Sequence, residues 1–279
     1  METGRASKTA LGVAIRRAAH QLIDKPPVLD DPIAVRLVGN GYPRLMERAM
    51  HPVGRDFRGF MAARSRYAED QLAEAVANGV TQYVVLGAGL DTFAYRNPFS
   101  GLRVFEVDFP ATQVWKRSML KNAEIALPSN LVFVALDFEH QTLAEGLAEG
   151  GLEMHKPAFF SWLGVVPYLT LDAFRSTLRV VAQMPPGSAM SFDYAVAPDR
   201  LSPIGRIAFD RLSERVSAAG EPFQLFFTPE DLDAEIHRAG FRRIEQADSA
   251  RLNDLYFNNR ADGLKLSPLG LGMLVTAQV

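Results

Sequence analysis

Two short runs of this chain hold residue types that could grip a nucleoside. Tyr83-Val84-Val85-Leu86 is a run of strand formers that ends in Gly87-Ala88-Gly89 and continues through Leu90-Asp91-Thr92. Nineteen residues past Gly89, Asp108 closes a second run, Arg103-Val104-Phe105-Glu106-Val107. Glycines at the first turn let backbone approach a ligand, and an acid ending the next strand accepts hydrogen bonds from ribose hydroxyls. The expected order is strand, glycine turn, helix, strand and terminal acid.

Two nucleoside classes compete for such a site. A dinucleotide fingerprint needs a third glycine where a helix N-terminus packs closely on the sheet to meet the pyrophosphate, and that position is Thr92 here. S-adenosylmethionine carries an amino acid, a ribose and an adenine but no phosphate, so its site tolerates a bulkier residue. The spacing favours S-adenosylmethionine and leaves a nicotinamide or flavin oxidoreductase as the alternative. Asp137, after the run Val134-Ala135-Leu136, is placed to accept from the adenine amino group, with Phe138 over the ring edge. Each acid also has a plain structural reading: Asp108 precedes Pro110 and could cap a helix, and Asp137 could be a solvated loop residue. Acids at successive strand ends favour the ligand reading.

The elements that must position these groups follow an α/β pattern. Strands are expected at 82–86, 103–108, 131–136, 158–163 and 189–194, with helices between them, including 110–126 and 171–184. Such β-α units build a doubly wound, mostly parallel sheet with ligands at the carboxyl ends of its strands. Residues 1–80 read as a helical N-terminal cap on a core of residues 81–279, the whole being one domain. The cap holds helices at 7–23, 32–38 and 57–78, the second with an Asp N-cap and Pro32 at its first position, the third stopping at Gly79. A helix at 202–219 has the place of an inserted cap. Thr228-Pro229-Glu230-Asp231 starts a helix that Gly240 ends, and 241–247 with 272–279 suit an antiparallel closing pair. A parallel sheet closed by an antiparallel last strand is the Rossmann-like outline of a class I methyltransferase.

Composition narrows the function. The 279 residues are 48% hydrophobic and 22% charged, enough for a full core. Net charge is −2, which gives no global reason to bind nucleic acid or an anionic membrane. Cysteine is absent, which excludes disulfides, thiolate nucleophiles and Cys-ligated metals. The five histidines (His20, His51, His140, His155, His237) show no metal-ligand spacing, so no metal is expected. No apolar leader or membrane-length run is present, and a cytoplasmic protein is expected.

The chain resembles the leucine carboxyl methyltransferase family, especially its bacterial branch of S-adenosylmethionine-dependent O-methyltransferases. The resemblance spans nearly the whole chain and rests on Gly87-Ala88-Gly89-Leu90-Asp91-Thr92 joined to Glu106-Val107-Asp108-Phe109-Pro110. Weaker echoes are Asp31-Pro32-Ile33-Ala34, Ala63-Arg64-Ser65-Arg66 and Gly164-Val165-Val166-Pro167-Tyr168. It implies that Gly87, Gly89 and their turn contact the methionine part of the cofactor, and that Arg64 pairs with its carboxylate. Asp108 would bind the ribose, Asp137 and Phe138 would hold the adenine, and Arg17 matches a basic position near the cofactor. Arg66 lies close enough in sequence to be confused with Arg64. In one place the chain departs from the pattern: many relatives carry a glutamate before the glycine after the fourth strand, and here it is Leu163. An apolar wall there argues against the eukaryotic phosphatase tail as substrate.

The chemistry implied is an in-line displacement, for which alignment and exclusion of water supply much of the rate. A carboxylate acceptor is ionised at neutral pH and needs no base, whereas a phenol or alcohol usually needs one. No His-acid dyad is evident; His20 is the histidine on the first helix and is expected to be a packing residue sooner than a base. Carboxyl O-methylation of a small molecule is therefore expected, with a hydroxyl or phenol acceptor as the alternative. Acceptor-side candidates are Tyr95, Tyr168, Asp193, Tyr194 and the stretch from Arg206 to Arg211.

Overall fold

The computed structural model describes residues 8–137 and 141–279. Four helices precede the first strand: α1 (Lys8–Ile23), α2 (Pro32–Val38), α3 (Pro43–Met50) and α4 (Arg55–Ala77). The strands are β1 (Gln82–Leu86), β2 (Arg103–Asp108), β3 (Leu131–Ala135), β4 (Phe159–Trp162), β5 (Ala189–Ala195), β6 (Arg243–Ala247) and β7 (Gly272–Gln278). Between them lie α5 (Pro110–Asn122), α6 (Leu143–Glu149), α7 (Leu171–Ala182), α8 (Pro203–Ala218), α9 (Pro229–Ala239) and α10 (Ser249–Tyr256).

Local chemistry sets the boundaries. Asp31 caps α2 by accepting from the Ala34 N–H, with Pro32 at the first helical position. Thr228 caps α9 by accepting from Asp231 N–H, and Gly240, left-handed at φ +111°, ends it. Helices α3 and α10 are additional to those read from the sequence, whereas α6 falls between the third and fourth strands, where a helix is expected. All three have eight residues or fewer, too short for a clear helical period.

The sheet runs β3-β2-β1-β4-β5-β7-β6. Neighbouring strands from β3 to β5 pair in parallel, and β7 is antiparallel to both β5 and β6. The chain extends the sheet from β1 first through β2 and β3, then through β4 and β5 on the other side. That reversal between β1 and β4 opens a crevice at the carboxyl ends of the strands, where open α/β sheets bind ligands.

One face of the sheet packs Val84, Phe105, Phe160 and Phe192 against Leu147 of α6, Phe174 and Leu178 of α7 and Ile236 of α9. On the other face, α4 buries Ala62, Ala63, Tyr67 and Leu72. Thus α4, counted with the N-terminal cap in the sequence, also covers that face of the sheet. The remainder of the cap, α1 with α2 and α3, shares a cluster built on Ala14, Ile15, Ala18 and Leu37, with Leu90 and Leu120 joining from the core. Between β1 and β2, where a helix is expected, only a 3-10 turn, Phe93–Tyr95, forms. Thr92, just before that turn, is fully buried and bonded to Asp31 ahead of α2, which ties this stretch to the cap.

Candidate active site

The turn after β1 needs glycine at two positions. Gly87 and Gly89 have φ of +63° and +46°, a region that costs an L side chain roughly 1–2 kcal/mol. Space adds a second demand, since a Cβ on Gly87 would lie 2.5 Å from Val165 Cγ2. A Cβ on Gly89 would lie 3.2 Å from Ala10 Cβ, so α1 lies directly over the turn.

Asp108, at the carboxyl end of β2, ties this turn to its neighbour. Its carboxylate accepts from Gly89 N–H at 2.5 Å and from Phe109 N–H at 2.7 Å. Burial raises its pKa, against the pull of these two N–H groups. The helix-start reading and the ligand reading therefore coexist: one oxygen faces the start of α5 and the other faces the glycine turn. Each keeps lone-pair capacity for a hydroxyl.

Arg17 of α1 fastens the cap to the same turn. Its Nε donates to Asp31 Oδ2 at 3.0 Å, its Nη1 donates to Asp91 Oδ2 at 3.3 Å, and its Nη2 also donates to Thr92 Oγ1. Burial opposes its charge, yet Asp31 and Asp91 outweigh that and raise its pKa. Arg96 adds a second cation, pairing with Asp31 and with Glu69.

Arg64 and Asp193 meet across the crevice. Arg64 Nη1 donates to Asp193 Oδ2 at 3.0 Å, and Gly164 N–H donates to Asp193 Oδ1 at 2.5 Å. The guanidinium covers Gly164, whose Cβ would lie 2.8 Å from Nη1. Arg64 Nε is buried and has no partner. Arg66 is instead exposed and pairs with Asp70 at 2.7 Å, so Arg64 is the residue that turns toward the strand ends.

The acceptor-side candidates separate. Tyr168 stands in a 3-10 turn after β4, its ring 5.2 Å from that of Phe223, with burial raising its pKa to about 12. Tyr95 has a buried hydroxyl without a hydrogen-bond partner, and Lys116 Nζ lies 5.5 Å from its ring centroid. Lys116 also donates to Glu106 Oε2 at 2.6 Å, while Glu106 Oε1 has no partner. Tyr194 points to the opposite face of the sheet from Asp193, bonding Gln246 Oε1 at 2.6 Å within the core. The two-residue period of a strand requires this split between neighbours. Arg206 is exposed on α8 and bonds Asp210. His20 is fully buried, with Nδ1 2.8 Å from Asp24 Oδ2 and Nε2 accepting from Val28 N–H, so it is a packing residue. Asp137 follows β3 at its carboxyl end; Phe138 and His140 lie outside the described residues. Among the described residues no group of three or more His, Cys, Asp or Glu could hold a metal ion, and no helix is long and apolar enough to cross a membrane.

Sequence reasoning missed two pairings. Arg64–Asp193 joins residues 129 apart, and Arg17–Asp31 gives the echo at Asp31-Pro32 a task it lacked. Only the placement of an acid near the end of β5 and of another before Pro32 hinted at either.

The leucine carboxyl methyltransferase profile matches residues 10–182. The Bacillus subtilis protein "Putative S-adenosyl-L-methionine-dependent methyltransferase YktD" is 32% identical over 95% of each chain. A Mycobacterium avium protein of the same designation, without the YktD suffix, is 34% identical over 74% of this chain and 72% of its own. Two crystal structures share the fold: a DUF574 family protein from Streptomyces avermitilis, TM-score 0.58 at 15% identity over 99% and 98% of the chains, and a "putative methyltransferase" from Thermobifida fusca, TM-score 0.57 at 18% identity over 99% and 96%. With the glycine turn, the strand-end acid and the closing antiparallel strand in place, the chain belongs to the leucine carboxyl methyltransferase family and is an S-adenosylmethionine-dependent methyltransferase.

Proposed function

We propose that this methyltransferase acts on an oxygen of a small acid, with the acceptor carboxylate as nucleophile. The observation that supports this reading is where the four described histidines lie, His140 being outside the described residues. His20 is committed to Asp24 and Val28, His51 and His155 are exposed, and His237 is on α9 bonded to Phe241 O. A carboxylate acceptor asks for no base, only for alignment and dryness.

The residues present fit the cofactor. The unpartnered Arg64 Nε is a buried donor suited to a carboxylate, and no helix N-terminus follows the glycine turn to receive a pyrophosphate. When bound, S-adenosylmethionine supplies a methyl group made electrophilic by its sulfonium. Arg64 would hold the amino-acid carboxylate, Asp108 the ribose hydroxyls, and Asp137 with Phe138 the adenine. Arg17 would act through Asp91 and Thr92, fixing the turn. Helix α1, seated on Gly89, would exclude water from the reacting atoms.

Calorimetry with S-adenosylmethionine and with NADH tests the cofactor. Turnover across paired aliphatic and aryl acids, alcohols and phenols tests the acceptor. Methylation confined to acids is expected. Turnover of phenols alone, or tight NADH binding without a response to S-adenosylmethionine, would sink the reading.

A further inference from the structure

Arg64 and Asp193 form a buried ion pair with bonding capacity left on both partners. Their side chains are 8% and 9% exposed, and Arg64 Nη1 donates to Asp193 Oδ2 at 3.0 Å. Asp193 Oδ1 accepts the Gly164 N–H at 2.5 Å. A carboxylate offers about four lone-pair sites, so these two bonds leave Asp193 able to accept further donors. Arg64 Nε, for its part, is buried without a partner. One cation and one anion thus stand side by side, each able to take another polar group.

Their position relates them to the glycine turn. Strand β4 ends at Trp162, which is paired with Phe192, so Asp193 is the first residue of β5 beyond that end. Gly164 lies under the Arg64 guanidinium, where an added Cβ would be 2.8 Å from Nη1 and 2.9 Å from Nη2. The next residue, Val165, is the one a Cβ on Gly87 would strike. The turn after β1 therefore touches, on one side, the loop that Arg64 and Asp193 grip. On its other side Asp108 accepts from Gly89 N–H.

We propose that Asp193 holds the α-ammonium of S-adenosylmethionine while Arg64 holds its carboxylate, so that this ion pair receives the whole amino-acid zwitterion. The inference rests on the cofactor reading given above, and it moves Asp193 from the acceptor side, where the sequence suggested it, to the cofactor side. A zwitterion adds no net charge to a buried pair that is already neutral. A carboxylate alone would leave one negative charge in excess beside Asp193, where an uncompensated charge is costly. Asp91, two residues past Gly89, is already engaged: it accepts from Phe93 N–H at 2.8 Å and from Arg17 at 3.3 Å.

The test is calorimetric titration with three ligands: S-adenosylhomocysteine, its analogue with hydrogen in place of the α-amino group, and its analogue without the carboxylate. The parent is expected to bind the deaminated analogue at least tenfold more weakly than S-adenosylhomocysteine, the scale of one charge-assisted hydrogen bond. In Asp193→Asn, S-adenosylhomocysteine and the decarboxylated amine should each weaken at least tenfold. The deaminated analogue should bind this variant at least as tightly as it binds the parent, because Arg64 is released from its competing partner. A merely structural Asp193 would weaken all three ligands alike. If the asparagine variant does not fold, Asp193→Glu stands in for it: a reduced preference for the amino group supports the proposal and a full one overturns it. Equal binding of S-adenosylhomocysteine and its deaminated analogue by the parent, a preference that survives Asp193→Asn, or a uniform loss across the three ligands overturns the proposal and leaves the cofactor reading standing. Failure of S-adenosylhomocysteine to bind the parent overturns both.

Discussion

Replacing Gly87 with alanine separates the two demands made on the turn. The residue has φ +63°, and an added Cβ would lie 2.5 Å from Val165 Cγ2. The backbone conformation costs an L residue about 1–2 kcal/mol. The overlap with Val165, in the loop after β4, adds an overpacking cost of about 1–3 kcal/mol. Together these make about 2–5 kcal/mol, a large share of the 5–15 kcal/mol that typically stabilises a domain. Urea denaturation of Gly87→Ala should show this loss. Because the turn would shift in the variant that remains folded, S-adenosylhomocysteine affinity should fall at least tenfold, or about 1.4 kcal/mol. Adding Val165→Ala removes the overlap and leaves the backbone cost, so about 1–3 kcal/mol of stability should return. Parental stability and affinity in the single variant, or no recovery in the double variant, would refute the assignment of Gly87 and Val165 as the two walls of the turn.

Three further outcomes are expected. Asp108→Ala should weaken S-adenosylhomocysteine binding at least tenfold by calorimetry, and unchanged affinity would place the ribose elsewhere. Asp31→Ala strips the buried Arg17 of its main partner and should cost about 3–5 kcal/mol in urea denaturation; a loss below 1 kcal/mol would show that Asp91 alone suffices. Glu106 is fully buried, and desolvation above all raises its pKa from 4.5 to about 7 despite Lys116, with Asp91 and Asp108 adding to the rise. The folded state then holds this proton more tightly than the unfolded chain, so its contribution to stability is lost as pH rises from 4.5 to 7. Melting temperatures at pH 5 and pH 8 should therefore diverge less in Glu106→Gln than in the parent, and an identical divergence counts against this placement of Glu106.

The parts of the fold that sequence exposed are those with strong local chemistry. β1 and β2 are bounded by a glycine turn and a terminal acid, and their observed limits match the expected ones. The start of α9 was legible because Thr228, Pro229 and Asp231 each supply a distinct helix-start signal. The missing helix after Gly89 was illegible, because the bond that ties this stretch to the cap joins Thr92 to Asp31, 61 residues apart. The glycines and Asp108 could be marked from their own neighbourhood. Arg64 could not be told from Arg66 until α4 was seated on β4 and β5, since the distinction is which side of a helix meets Asp193. Tyr194 was proposed beside Asp193 although adjacent strand residues must face opposite sides, a period the sequence already held.

The place of β7 has a consequence for synthesis. It is threaded between β5 and β6 and bonds to both, so β6 cannot be docked in the order the ribosome delivers it. Until residues 272–278 emerge, the nascent polypeptide holds a half-built sheet with β5 as a raw flank and β6 adrift, the kind of open edge that invites self-association. A chain stalled after α10 should be a client for chaperones, whereas the 22 residues from 257 to 278 close the gap like the last tooth of a zip.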